Sequence, residues 1–201
     1  MERKLEVLTD LLQRRLFVEV EASGRHVHVT KEQALQLFGH DLTPDRPLSQ
    51  PGQFLAKERV TVMGPKGKLD GVAVLGPCRK HAQVEISLTD GRNLGIKPPI
   101  RLSGEIQNTP GAALIGSNGS VTLSQGVIAA KRHIHMKPED AALQNVCDGD
   151  TVRLKVLSER PLVFEDVAVR VSPDFQTFVH LDFDEANACG YQKGDLGMLL
   201  R

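Results

Sequence analysis

Four of the seven histidines form two copies of one short motif, in which a single apolar residue separates two histidines. His26 and His28 form the first pair, and His133 and His135 form the second. Because side chains alternate between the faces of a β-strand, the two histidines of each pair point the same way. Two imidazoles at this spacing can bind one metal ion. The sequence therefore predicts a metal site at each pair, with hydrogen-bonded surface histidines as the alternative.

Each histidine pair needs a further ligand to form a metal site. Glu85 lies on the polar face of the alternating segment 83–87, and His180 lies opposite the apolar face of segment 178–183. Both are candidates to complete a site, whereas His40 and His81 are interpreted as solvated. Three protein ligands that leave one position open are typical of catalytic zinc, since structural zinc is enclosed by four.

The elements that must position these residues are short strands that follow one N-terminal helix. Leu5, Leu8 and Leu12 recur at helical spacing, which predicts a helix over residues 2–15. This helix either docks on the body of the protein or is an amphipathic segment that binds a partner. The rest of the chain reads as many short strands with a few short helices, one of which begins with a capping box at Thr30. This pattern is typical of barrels or a sandwich.

An internal repeat connects the two histidine motifs. Residues 25–34 align with residues 132–141, and each copy reads as a strand ending in Arg-His-apolar-His, followed by the start of a helix. In the second copy Pro138 occupies the first helical position, which proline favours. The repeat predicts a duplicated fold with two related barrels.

Composition excludes several classes of protein. The 201 residues contain 25 Lys and Arg against 25 Asp and Glu, so the excess positive charge of a nucleic-acid binder is missing. No apolar run approaches the roughly 20 residues of a membrane span, and the N-terminus lacks the apolar core of a secretory signal. The three cysteines are far apart, which favours a reducing, cytoplasmic location. No membrane or nucleic-acid partner is expected.

Several further segments match one known family. They run in family order across nearly the whole chain past residue 16, and they are Ser23–His28, Gly76–Arg79, Gln83–Asp90, Arg101–Gly104, Gly126–Ala130, Arg132–Met136, His180–Asp182 and Asp184–Asn187. On these segments the sequence resembles the phosphate propanoyltransferase family, the propanediol-utilisation type of phosphotransacylase.

The resemblance implies a mainly β fold with short α-helices, built as two related, interwoven β-barrels. Residues 16–24 with 131–201 would form the first barrel, and residues 25–38 with 58–130 would form the second. Residues 39–57 would be a bridging hairpin region. The helix over residues 1–15 would be an encapsulation segment of the kind that directs family members into a bacterial microcompartment, where shell or lumen proteins would be its partners.

The resemblance also implies the chemistry. The family transfers a short acyl group, propanoyl or acetyl, reversibly between CoA and inorganic phosphate, giving acyl phosphate. It uses two zinc ions, here held by His26, His28 and Glu85 and by His133, His135 and His180. Arg79 matches the family's phosphate-binding arginine and is the predicted catalytic residue. Ser103 and Asn187 match substrate-binding positions near the active site, and the family suggests a homodimer.

Two other functions are compatible with the histidine motifs alone. One is a zinc-dependent hydrolase in which a metal-bound water is the nucleophile. The other is a non-enzymatic barrel module whose metals only stabilise the fold. Transfer to phosphate distinguishes the predicted enzyme from both alternatives. A hydrolase releases free acid and does not need phosphate, and a non-enzymatic module forms no product.

Overall fold

A computed structural model describes residues 2–200, which form five helices and fifteen strands. The helices are α1 (Glu2–Leu16), α2 (Lys31–Phe38), α3 (Leu88–Leu94), α4 (Pro138–Gln144) and α5 (Phe183–Ala188). The strands are β1 (Val18–Ser23), β2 (His26–His28), β3 (Pro44–Pro47), β4 (Phe54–Met63), β5 (Lys68–Gly76), β6 (Gln83–Glu85), β7 (Ile100–Arg101), β8 (Ala112–Ile115), β9 (Ser120–Leu123), β10 (Val127–Ala130), β11 (His133–Met136), β12 (Thr151–Leu157), β13 (Leu162–Val171), β14 (Phe178–Asp182) and β15 (Leu196–Leu200). The mainly β fold with short helices is confirmed.

The chain divides into two compact units. One consists of the residues up to 23 together with residues 132–201, and the other consists of residues 24–131. The first unit is therefore interrupted in the sequence by the whole of the second. Within residues 2–200, none of the helices combines the length and the apolar character needed to cross a membrane.

The interrupted unit is a closed six-stranded barrel with the strand order β1-β14-β11-β13-β12-β15. β1 pairs in parallel with β14, where Val20 lies opposite Val179, and antiparallel with β15, where Val18 lies opposite Gly197. The second of these pairings closes the ring. Buried apolar side chains fill the interior, among them Val20, Ile134, Met136, Leu154 and Leu181.

The continuous unit, residues 24–131, is a nine-stranded sheet that curls into half of a barrel. The strand order is β7-β10-β6-β2-β5-β4-β8-β9, and β3 pairs with β4. Its core contains Val27, Leu37, Val74, Val84 and Leu114. This sheet does not close into a ring. Its path of paired strands begins at β7, which is two residues long, and ends at β9.

The helix after each histidine strand starts in a defined way. Thr30 forms the predicted capping box: its Oγ1 accepts a hydrogen bond from Gln33 N at 3.2 Å, and Gln33 Oε1 accepts one from Thr30 N at 2.9 Å. α4 begins instead with Pro138, and Lys137 provides no side-chain cap. Two residues separate β2 from α2, and one residue separates β11 from α4.

Helix α1 is docked on α4 through its C-terminal end. Arg14 forms an ion pair with Asp140 of α4, and the Gln144 side chain donates a hydrogen bond to Arg14 O at 2.8 Å. The apolar residues of the predicted stripe are exposed, including Leu5 at 66% and Leu8 at 57%. One end of the helix is therefore docked and its apolar face is uncovered, and the binding of a partner by this face stays a prediction.

Candidate metal centres

In residues 24–131, two short antiparallel strands bring together the first predicted set of ligands. His26 and His28 lie on β2, and Glu85 ends β6 directly opposite His26. All three side chains are buried, and their ligand atoms lie within 4.8 Å of one another. Glu85 Oε1 is 3.4 Å from His26 Nε2 and 3.8 Å from His28 Nε2. The predicted residues His26, His28 and Glu85, called here the mixed triplet, are thus adjacent.

The orientation of His26 and the pKa values of Glu85 and His28 suit a divalent cation. His26 Nδ1 donates a hydrogen bond to Gly24 O at 2.8 Å, which leaves Nε2 as the ring nitrogen that faces Glu85. Burial would raise the pKa of Glu85, but His26 and His28 hold that pKa well below its usual range. Burial, together with the charges of His26 and Arg79, holds the pKa of His28 well below its usual value. Two histidines and one ionised glutamate form a known ligand set for catalytic zinc.

The barrel unit brings together the second predicted set in the same register. His133 and His135 lie on β11, and His180 lies on β14 directly opposite His133. Their ligand atoms also fall within 4.8 Å of one another. We call these residues the histidine triplet. Three histidines are the other common ligand set of catalytic zinc.

Two side chains flank the histidine triplet. The carboxylate of Glu21 lies 3.7 Å from His180 Nδ1, on the strand β1 that pairs with β14. The ring of Phe175 stacks on His135 with centroids 4.1 Å apart. A carboxylate near one ring nitrogen favours use of the other nitrogen as a ligand, so this arrangement also fits a metal ion.

A hydrogen-bonded cluster connects the mixed triplet to the predicted phosphate-binding arginine. Arg79 Nη1 donates to Ser103 Oγ at 3.0 Å, and Ser103 Oγ donates to Glu85 Oε1 at 3.0 Å. Gln83 Nε2 donates both to Glu85 Oε1 and, at 2.9 Å, to Ser103 Oγ. The structure thus places Arg79 and Ser103 beside the mixed triplet. Gln83 was not predicted, although its position two residues before Glu85 puts it on the same strand face.

The remaining candidates belong to neither triplet. Asn187 is exposed on α5 of the barrel unit, seven residues after His180, while Arg79 and Ser103 belong to the other unit. His40 is exposed and lies 3.8 Å from a carboxylate oxygen of Glu58, and His81 is exposed. Neither histidine belongs to a triplet.

A known family of proteins matches the part of the sequence that contains these residues. The sequence profile described as phosphate propanoyltransferase matches residues 19–192, which include both triplets and the Arg79 cluster. The chain belongs to the phosphate propanoyltransferase family. Membership confirms the resemblance noted in the sequence and makes the protein an acyltransferase.

Individual members of the phosphate propanoyltransferase family are similar over almost their whole length. A phosphate propanoyltransferase of Listeria monocytogenes is 55% identical, covering 92% of this chain and 87% of its own. Those of Clostridioides difficile and Thermotoga maritima are 52% and 49% identical, and the alignments cover 98% and 96% of this chain and 94% and 93% of theirs. The family profile begins at residue 19, so it leaves α1 outside the matched range.

Proposed function

We propose that this protein transfers a short acyl group, propanoyl or acetyl, reversibly between CoA and inorganic phosphate, with two zinc ions as cofactors. The reaction is acyl-CoA plus phosphate giving acyl phosphate plus CoA. The observation that carries the proposal is the chain of hydrogen bonds from Arg79 through Ser103 to Glu85, because it joins an anion-binding group to a set of metal ligands. The names of the relatives support the same pair of substrates.

The residues that would hold the metals are the two triplets described above. When bound, a divalent cation supplies positive charge that favours departure of the CoA thiolate, whose thiol has an ordinary pKa of about 8.5. His26 is oriented for this role by its hydrogen bond to Gly24 O, and Glu85 by its bonds from Ser103 and Gln83. These contacts keep the three donor atoms of the mixed triplet in one place.

Arg79 would bind the attacking phosphate. Its planar guanidinium matches two phosphate oxygens at once, which an ammonium group does not. The bond to Ser103 holds the plane of the guanidinium in one orientation next to the mixed triplet. A phosphate oxygen would form a bond to the thioester carbonyl carbon, and the carbon–sulfur bond would break as the thiolate leaves.

Direct transfer does not need a cysteine nucleophile. Cys78 is the neighbour of Arg79 in the sequence and is half-buried. Burial raises the pKa of the Cys78 thiol, which lowers the fraction of reactive thiolate. Holding phosphate and thioester side by side would provide the acceleration by proximity, without an acyl-enzyme.

A coupled assay with propanoyl-CoA and acetyl-CoA tests the proposed reaction. We expect release of CoA to require inorganic phosphate and to be accompanied by acyl phosphate. We also expect a zinc chelator to remove the activity while the far-UV circular dichroism stays unchanged, because packed apolar cores support both units. Release of free acid at the same rate without phosphate would instead show the zinc-dependent hydrolase. Metal loss that unfolds the protein would indicate a structural role.

We also propose that α1 directs the protein into a bacterial microcompartment. Its exposed leucine stripe is available to a shell or lumen partner, and it precedes the part of the chain that matches the family profile. Residues 1–17 fused to a fluorescent protein should enter shells in cells that produce them, whereas a fusion with Leu5, Leu8 and Leu12 replaced by serine should stay diffuse. Diffuse fluorescence of the unmodified fusion would contradict the proposal. The homodimer, the cytoplasmic location and a role in propanediol degradation stay predictions of the resemblance.

A further inference from the structure

Each metal triplet has an arginine–carboxylate pair beside it. Arg25, which directly precedes His26, lies 3.2 Å from Asp90 between its Nε and Oδ2 atoms. Arg132, which directly precedes His133, lies 2.7 Å from Glu185 between its Nη1 and Oε1 atoms. The two pairs therefore occupy the same place relative to the two histidine strands.

The acidic partners are equivalent as well. Asp90 follows the third ligand Glu85 by five residues, and Glu185 follows the third ligand His180 by five residues. Each acid is the third residue of a short helix whose capping box it completes: Asp90 with Ser87 in α3, and Glu185 with Asp182 in α5. The duplication thus extends beyond the aligned sequence segments, which contain the two arginines, to a third ligand, a cap and an acid in each unit.

The strands that these pairs join are short. β2 and β6 share three residue pairs, and so do β11 and β14. Glu85 is the last residue of β6, which two residues separate from α3, and His180 is the central residue of β14, which ends directly before α5. An additional tie between the start of each histidine strand and the helix that follows the third ligand would limit the movement of these short segments against each other.

The carboxylates of both pairs are largely removed from solvent. Asp90 is 4% exposed, and burial raises the pKa of Glu185 despite the neighbouring Arg132 guanidinium. Arg132 is itself held by a hydrogen bond from its Nε to Glu165 O at 2.7 Å. A buried carboxylate is costly unless it is paired, so a charged pair kept at the same place in both units points to a geometric role.

We propose that Arg25 and Arg132 are positioning residues for the two metal triplets. Each ties the strand that carries the histidine pair to the capped helix start that follows the third ligand, so that the three donor atoms converge. Neither arginine belongs to the donor sets. This proposal rests on the proposed function in one respect, namely that the triplets bind metal.

Zinc affinity, measured by competition with a chromophoric chelator, tests this role without any activity assay. A His133→Ala background isolates the mixed triplet, and a His28→Ala background isolates the histidine triplet. We expect Arg25→Gln to weaken zinc binding about 10-fold in the first background, and Arg132→Gln to do so in the second, because outer-shell partners typically contribute about 10- to 100-fold. Each arginine variant should leave the other triplet unchanged.

Two further variants separate positioning from general stabilisation. Arg25→Lys and Arg132→Lys should recover part of the affinity, because they keep the charge but lose the planar fork. Combining Arg25→Gln with Asp90→Asn should weaken zinc binding no more than either change alone, since both remove the same contact. Arg14→Gln serves as the matched control. It removes a similar pair with Asp140, the third residue of α4, and should leave zinc affinity unchanged.

The outcomes distinguish this inference from the proposed function. Unchanged zinc affinity in both glutamine variants, with two zinc ions bound by the unmodified protein, would overturn the positioning role and leave the acyltransfer proposal standing. A lower free energy of unfolding with unchanged zinc affinity would also overturn it. An unmodified protein that binds no zinc would refute both proposals. If a glutamine variant does not fold, the lysine variant still has to weaken zinc binding at its own triplet.

Discussion

Replacing His133 by alanine is expected to lower phosphate-dependent CoA release by more than 100-fold and to remove one of the two zinc ions. His28→Ala should do the same for the other ion. Each change removes one of only three donor side chains, and even partners outside the donor set typically contribute about 10- to 100-fold to metal affinity or activity. Coupled kinetics, together with metal quantification on the same preparations, measures both effects.

The control for these variants is His40→Ala. His40 is exposed and lies outside both triplets, so its removal should leave zinc content and activity at the level of the unmodified protein. Circular dichroism has to show that all three variants are folded. If His133→Ala or His28→Ala kept full activity and its zinc, the assignment of that residue as a ligand would be wrong.

Replacing Arg79 by lysine is expected to weaken the use of phosphate while leaving zinc content unchanged. Lysine keeps the charge but cannot present two parallel N–H groups to phosphate oxygens. A hydrogen bond to a charged group contributes about 1.5–3 kcal/mol, which corresponds to roughly a 10- to 150-fold lower kcat/KM for phosphate. Initial rates over a range of phosphate concentrations at saturating propanoyl-CoA measure this effect, and the KM for propanoyl-CoA should change little.

Arg92→Lys provides the matched comparison for Arg79→Lys. Arg92 is exposed near the end of α3 in the same unit, and it is not part of the cluster around Ser103 and Glu85. Its replacement should leave phosphate kinetics as they are in the unmodified protein. Phosphate kinetics of Arg79→Lys that match those of Arg92→Lys would exclude Arg79 as the phosphate-binding residue.

Local features of the fold could be predicted from the sequence because they depend on neighbouring residues. The capping box of Thr30 and Gln33 requires a spacing of three, and it is present in the structure. Closure of the barrel is different, because it pairs Val18 with Gly197 at opposite ends of the chain. Alternation of polar and apolar residues shows that strands exist but not which strands pair. The strand pattern and the repeat therefore predicted related β-barrels, whereas the interweaving of the two units was expected only from the family resemblance.

The same limit applies to the site. Each histidine pair was recognisable because two residues on one strand face are two positions apart. Glu85 and His180 could be proposed as candidates, but their partners depend on the antiparallel register of strands that lie far apart in the sequence. Gln83 was missed because a polar residue on a strand face has no signal until Ser103 and Glu85 are placed beside it. The partners of Arg25 and Arg132 are 65 and 53 residues further along, beyond the reach of any local pattern.

The interleaving of the barrel has a consequence for the order of folding. The strand that opens the ring, β1, is synthesised first, and the strand that closes it, β15, emerges last. On the ribosome, β1 must wait until the intervening unit and its two partner strands, β14 and β15, have been made. Residues 24–131, whose contacts are continuous in sequence, can complete their sheet during that interval. The nascent chain therefore has a built-in order in which the half-barrel precedes the ring.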